Sequence, residues 1–383
     1  MKKAENWPND PGYGYSEPED RDGQWNYYSF LPEPNAVKTG ETASGMSIDL
    51  AWRLTATEMN DGTKVAGHPS VLIAITDSGI KWDEDDVIEA AYINHKELQE
   101  HRPVHADGSA CDDLDPRFFA PPADAAELLA AFDCNGDGIL TVADYAETPS
   151  LSPEATEGHP AGDRNDNGRL DAGDLIIAFS DGTDDDANGY VDDISGWDFF
   201  KDDNDPYDDT RYGHGTGEAR DSMARANNGI GEAGGCNGCR LIATRVGDSF
   251  ITDVTEFGQA VVYATDMGAR VVQSALGTVN MNAYTQKALD YAFDHGVLTV
   301  ASMADENSRH HNMPTAANHT MPVHAIQYSG AKVFTSQSFL DYHPCSNYGG
   351  QNYLSASGTG CSSEAVGQTS GIAGLVFLSL IHI

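Results

Sequence analysis

The chain of 383 residues predicts an α/β fold, a parallel sheet with helices on both faces. Two observations carry that prediction. Val71-Leu72-Ile73-Ala74-Ile75 is a continuous apolar run rich in β-branched residues, the pattern of a strand buried on both faces. Beyond residue 240, strand-like and helix-like segments alternate, and a β-α-β-α-β order implies parallel strands joined by right-handed crossovers.

Taken in order, residues 1–50 are polar, rich in Pro, Gly, Tyr and Asp, and without a sustained period; they read as an extended arm. The buried strand at Val71 follows. From about Val87 to Asp193 the composition turns to acids, Pro, Gly and Ala, and residues 96–194 read as an insertion. It would divide one domain into residues 51–95 and 195–383. Leu241–Val246 then reads as a strand, Thr255–Met267 as a helix ended by Gly268, and Arg270–Ser274 as a strand. Ala283–His295 is a helix with apolar Ala288, Leu289, Ala292 and Phe293, ended by Gly296, and Val297–Ala301 is the next strand. Sites in open parallel sheets gather at the carboxyl ends of strands. Asp77, Gly277 and Asp305 fall just past such ends.

Composition narrows the function. At 40% apolar the chain can bury a large core. Sixty acidic residues against 22 basic ones give a formal charge of −38, which argues against a nucleic-acid or anionic-membrane binder. No apolar run approaches the roughly 18 residues that a membrane span needs. Lys2 and Lys3 open like a secretory signal, but Glu5-Asn6-Trp7-Pro8-Asn9 follow instead of an apolar stretch, so no signal peptide is visible. Either the start lies upstream or the chain is intracellular as written. The even count of six cysteines suits a secreted or extracytoplasmic protein. A monomer is expected.

Three segments carry chemistry. Ile75-Thr76-Asp77-Ser78-Gly79-Ile80 places a carboxylate at a strand end, Tyr212-Gly213-His214-Gly215-Thr216-Gly217 sets a histidine among glycines, and Cys361-Ser362-Ser363-Glu364-Ala365 precedes a small-residue helix. Singly, each has an ordinary structural reading as a turn former, a loop histidine or an N-cap. Together, in the order Asp, His, Ser on a parallel α/β pattern, they point to a nucleophilic triad.

These segments resemble the signatures of the subtilase family, over roughly residues 45–95 and 195–378, about three fifths of the chain. The resemblance implies a subtilisin-like fold and a serine endopeptidase acting on protein or peptide substrates. Ser363 would be the nucleophile, His214 the general base and Asp77 its orienting carboxylate. Ser362 competes by position, but Ser363 puts Ala365 in the family register. Ala275-Leu276-Gly277 resembles the family's Ser-Leu-Gly strand end, which pairs with substrate backbone. Two departures stand out. Cys361-Ser362-Ser363 replaces the usual Gly-Thr-Ser, and Asp305, in Ala304-Asp305-Glu306, occupies the oxyanion-hole position usually held by Asn. A protonated Asp305 could donate a hydrogen bond as Asn does, so a raised pKa and activity favouring acidic pH are expected. The family usually continues past the nucleophile helix, and Leu378–Ile383 looks like translated adapter sequence, so the chain is expected to be incomplete at its C-terminus.

The acids are patterned for calcium. Asp133, Asn135, Asp137 and Asp144 stand at positions 1, 3, 5 and 12 of an EF-hand loop with Gly138 at 6, and Ala125–Phe132 would be its entering helix, capped by Asp124. Asp163, Asn165, Asn167 and Asp174 repeat the pattern, and both loops end in Asp, as dockerin-type loops often do. Asp184, Asp186 and Asn188 form a third turn, similar to one that precedes the histidine in many large subtilases. The family's strong calcium site would map onto Asp86 and Asn228, with carbonyls of Ala226, Ile230 and Glu232. All these ions would be structural.

Cys236 and Cys239 could be half a zinc site, a redox pair or a small disulfide, and the last is expected. Cys345 with Cys361 and Cys111 with Cys134 would follow, although sequence alone leaves connectivity open. His310 and His311 read as loop residues. Two rivals to a protease remain, a pseudoprotease and a calcium-dependent binding module.

Overall fold

The computed structural model describes residues 8–11, 24–27, 45–119, 126–151, 153–249, 251–310, 312–328, 340–350 and 352–380. Its strands are β1 (Ala56–Glu58), β2 (Lys64–Ala66), β3 (Leu72–Asp77), β4 (Trp197–Asp198), β5 (Arg240–Arg245), β6 (Val271–Ser274), β7 (Leu298–Ser302), β8 (Thr320–Tyr328), β9 (Leu340–Tyr342) and β10 (Leu354–Ser357). Its helices are α1 (Ile48–Leu54), α2 (Ala172–Phe179), α3 (His214–Met223), α4 (Val254–Asp266), α5 (Ala283–Asp294) and α6 (Cys361–Leu380). β1 and β2 form a separate antiparallel hairpin.

The main sheet runs β10-β8-β7-β6-β3-β5-β4, every pair along this path parallel, with β9 antiparallel on β8. β3 is an interior strand, with Ile73 opposite Leu241 on one side and Val271 on the other. Successive side chains of a strand point to opposite faces. Ile73, Ile75, Leu241, Ala243 and Val271 therefore share a core with Ala219 and Met223 of α3 and with Ala365 and Val366 of α6. Leu72, Ala74, Ile242 and Val272 share the other with Phe257 and Val261 of α4 and Leu289 and Ala292 of α5. Helices cover both faces, as the apolar run and the alternating segments require.

Helix α6 crosses α3 at glycines. A Cβ on Gly367 would lie 2.4 Å from Cβ of Asp221, and one on Gly371 would lie 2.8 Å from the carbonyl of Ser222. Only hydrogen side chains allow this approach, which brings the first turn of α6 beside the first turn of α3.

Residues 96–194 add α2 and short 3-10 turns at Pro116–Phe118, Ala126–Leu129, Val142–Tyr145 and Pro149–Leu151. Their apolar side chains, including Leu114, Phe132, Leu140, Tyr145, Leu175 and Phe179, join the same core as the α3–α6 face of the sheet. Arg240, 2% exposed at the start of β5, donates to the carbonyls of Ala91 and Leu140 and so fastens the first acidic loop to the sheet. The helix expected over Ala125–Phe132 is instead the single turn Ala126–Leu129, and Asp124 and Ala125 lie outside the described residues. Backbone pairing of Asp112 with Asp133 and the Cys111–Cys134 disulfide draw the chain out of helical geometry there.

The other disulfides are Cys236–Cys239 and Cys345–Cys361. Most of the N-terminal arm lies outside the described residues, as does His311. Gln24 and Asn26 of the arm dock on the α3–α6 side, through the carbonyl of Ala233 (2.9 Å) and the side-chain oxygen of Gln368 (2.7 Å). Among the described residues no helix is long and apolar enough to cross a membrane.

Candidate active site

A groove of about 1400 Å³ opens at the carboxyl end of the sheet. Asp77 ends β3 and is 1% exposed. His214 is the first residue of α3, Ser363 the third of α6, and the glycine-lined helix crossing brings them together. Oδ1 of Asp77 accepts from the Ser78 backbone N–H (2.7 Å) and lies 2.8 Å from Nδ1 of His214. Nε2 of His214 is 3.3 Å from Oγ of Ser363, whose hydroxyl is also positioned to donate to the carbonyl of Ala275 at 3.3 Å. Tyr212 stacks on the imidazole, ring centroids 5.3 Å apart and planes at 9°.

The two serines of the nucleophile segment are used differently. Ser362 is wholly buried; its N–H and hydroxyl donate to Oδ1 of Asp305 at 3.0 and 2.6 Å, and its oxygen lies 2.6 Å from that of Ser302. Ser363 is the one brought to the histidine. Asp305 is thus an acceptor at the amino end of α6, a place where a helix favours negative charge. Ala275, Leu276 and Gly277 line the groove, and Gly277 pairs with Ile251 in a parallel bridge. His310 stays on the surface, 3.8 Å from Glu306.

The electrostatics centre on His214. Burial alone would lower its pKa, but the charges of Asp77, Glu218 and Asp305 and the hydrogen bond that the ring donates to Asp77 outweigh burial and raise it to about 9. The neutral imidazole is then favoured by alkaline pH, the opposite pull from the acidic preference expected from Asp305. Glu218 was not anticipated. It lies one helical turn beyond His214, 4% exposed, with Oε1 3.9 Å from Nε2 and Oε2 accepting from Gln273 at 3.1 Å. The only signal for it in the sequence is its i+4 spacing from the histidine on an otherwise small-residue face.

The acidic turns fold their oxygens inward. Asp133 accepts from the N–H groups of Gly136 and Gly138, Asn135 from that of Asp137, Asp137 from that of Ile139, and Asp144 from those of Cys134 and Thr141. In the second loop Asp174 accepts from Arg164 and Asp171, Asn165 and Asn167 turn their amides toward Asp171, and Asp163 meets His159 at 2.6 Å. Only this loop leads into an α-helix, α2, so neither is a helix-loop-helix. In the third turn Asp184 and Asp186 accept from the N–H of Asn188, and Asn188 reaches Asp193. Here the structure adds Glu97 and Asp193, whose carboxylate oxygens lie with that of Asp186 within 4.8 Å of one another. Burial is the main cause raising both Glu97 and Asp193 to about 7. No local pattern could have joined Glu97 to a turn some ninety residues later.

Asp86 and Asn228 meet at 2.8 Å, with the N–H of Glu232 on the other oxygen of Asp86. Asp10 of the arm, also unanticipated, accepts from the N–H groups of Asn227 and Asn228.

The sequence profile of the subtilase family matches residues 68–374. Thermitase of Thermoactinomyces vulgaris is 30% identical over 195 residues, 48% of this chain and 67% of thermitase. The thermophilic serine proteinase of Bacillus sp. (strain AK1) is 30% identical over 213 residues, 53% of this chain but only 51% of that protein. Among solved structures, the S41 psychrophilic protease overlaps 47% of this chain and 67% of its own at 21% identity and a TM-score of 0.40. The chain thus spans between half and two thirds of the relatives named here.

Proposed function

The chain belongs to the subtilase family of serine endopeptidases, and from that premise we propose that it hydrolyses peptide bonds in protein or peptide substrates through Asp77, His214 and Ser363. The observation that carries the reading is the placement of one imidazole between a buried carboxylate at 2.8 Å and a hydroxyl at 3.3 Å.

When the imidazole is neutral, the Ser363 hydroxyl turns from the Ala275 carbonyl to Nε2. Its oxygen bonds to the scissile carbonyl carbon as the proton passes to His214, and Asp77 holds the imidazolium through Nδ1–H. His214 then returns that proton to the leaving amine, leaving an acyl-enzyme that water hydrolyses along the same proton path. Ala275, Leu276 and Gly277 would align the substrate backbone. Asp305 would face the developing oxyanion, where a carboxylate is a poorer partner than an amide. That observation also favours a second reading, a catalytically impaired relative.

Residues 96–194 would be an insertion into a catalytic domain of residues 51–95 and 195–383, with 1–50 as an arm. Calcium would be structural. Oxygen-only donor sets and the close approach of Glu97, Asp186 and Asp193 suit a hard cation with ligands at about 2.3–2.6 Å. Asp133, Asn135, Asp137 and Asp144, then Asp163, Asn165, Asn167 and Asp174, then Asp184, Asp186 and Asn188, and Asp86 with Asn228 would supply the side chains. Three disulfides support an extracytoplasmic location.

Labelling with a fluorophosphonate tests the reading. Wild type is expected to label at Ser363 and Ser363→Ala to lose both label and turnover. A folded wild-type chain that never labels would favour the impaired relative.

A further inference from the structure

Glu218 is a buried carboxylate beside the reacting side of the imidazole. Its position four residues after His214 sets both side chains on one face of α3, and that face packs under the sheet. Gln273 of β6 donates through Nε2 both to the backbone carbonyl of Glu218 (2.9 Å) and to Oε2 (3.1 Å), which fixes the side chain. The other oxygen, Oε1, is left 3.9 Å from Nε2 of His214, beyond hydrogen-bond reach but within ion-pair reach. Among the described residues no Lys or Arg pairs with Glu218; the one cation offered to it is His214 itself, once protonated.

We propose that Glu218 is a positioning residue, a second carboxylate partner of His214 that acts on Nε2 through charge alone, where Asp77 acts on Nδ1 through a hydrogen bond, and sets the pH at which the imidazole becomes a base. The proposal rests on the triad reading above. Ionised Glu218 stabilises the imidazolium. That stabilisation holds the resting histidine protonated to higher pH, and it also favours the protonated histidine formed as Ser363 attacks.

The charged neighbours are few. His214 is faced by Asp77 from β3, Glu218 from its own helix and Asp305 from the segment after β7. Glu218 is faced by His214, Asp77 and Glu364 of α6, with neutral Gln273 below it. Burial pushes the Glu218 carboxyl up, while the His214 cation pulls it down. Burial is the larger effect, so Glu218 is ionised only in the alkaline range, which is also the range in which His214 titrates. Removing the carboxylate must lower the proton affinity of His214 and move the acid limb of activity to lower pH.

The experiment is an NMR titration of the His214 imidazole in the full chain, alongside pH profiles of kcat/KM. In Glu218→Gln the His214 midpoint and the acid limb should both fall by about one pH unit, tenfold in proton affinity. Glu218→Val, which removes the carboxyl without leaving an amide in its place and guards against a failure of the glutamine variant to fold, should shift both equally. Glu364→Gln should shift them less, because that carboxylate is held by Thr359, the N–H of Gly360 and Gln368. A His214 midpoint unmoved in both Glu218 variants overturns the proposal, as does an equal shift in Glu364→Gln. The NMR midpoint needs no turnover, so a chain that fails to label at Ser363 would sink the protease reading while still testing Glu218.

Discussion

Two groups of acids in this chain, buried apart from Asp305, differ in what answers their charge. Around His214, Asp77, Glu218 and Asp305 face a side chain that becomes a cation by taking a proton. In and beside the acidic segment, Asp133, Asp144, Asp174 and Glu97 accept from backbone N–H groups, while Asp193 accepts from the side chains of Asn94, Asn188 and Tyr263. A carboxylate withdrawn from water needs a countercharge or a proton. The first group shares a titrating imidazole, so its charges are coupled to the protonation of that ring. The second meets one buried guanidinium, Arg240 near Asp144, and the rest of its balance would come from protons or from a metal ion. Burial alone does not distinguish a catalytic carboxylate from a structural one; the partner does.

The comparison breaks most sharply at Asp77. Asp77→Asn should keep the packing but leave Nδ1 with the wrong partner, lowering kcat by about 10,000-fold. A steady-state assay that finds a loss below tenfold would remove Asp77 from the triad. Asp305→Asn sharpens the same side. It adds a donor at the oxyanion position and removes one of the charges that hold His214 protonated, so kcat near neutrality should rise on the order of 10- to 100-fold. The acid limb should also extend to lower pH. If the profile and the rate match those of the parent, Asp305 has no part in the chemistry.

The smallest effect belongs to the acidic segment. Chelating calcium at pH 8 should lower the melting temperature on the order of 5 °C. The sign with pH follows from the shifted groups. Burial raises Glu97, Asp144 and Asp193 to about 7 and Asp174 to about 6. Carboxylates whose folded pKa is raised contribute stability that is full below their unfolded values and lost as pH rises through the folded ones. The chelated chain should therefore melt higher at pH 5 than at pH 8. Calcium, which needs the ionised groups, should narrow or reverse that difference. Scanning calorimetry with and without chelator reads both. An identical trend in the two samples would mean that no ion binds there.

Much of the fold was legible because its signals are local. The apolar run at Val71 and the segments from Leu241 to Ala301 appear within one or two residues of their expected places. β8 was not seen, since Pro322 and His324 interrupt its apolar pattern, and the β1–β2 hairpin and α1 are short. At the site, Asp77, His214 and Ser363 were legible as motifs, and the structure brings them within hydrogen-bonding distance. Glu218 was hidden because a glutamate on a helix is normally a solvated one, and only the sheet beneath α3 shows that it is buried. Glu97, Asp193 and Asp10 were hidden for another reason. Their meaning depends on contacts between segments far apart in the chain, which no window of sequence contains.

The groups that meet in the groove are spaced along the chain by 137 and 149 residues, and the interior strand β3 must wait for β5, with Leu72 opposite Arg240. Such long loops close slowly, because chain entropy is lost before any contact forms. On the triad reading, hydrolysis would therefore be among the last properties this molecule acquires as it folds. A half-made chain would carry the carboxylate and the histidine but no docked serine, and would not digest its unfolded siblings while they are most vulnerable.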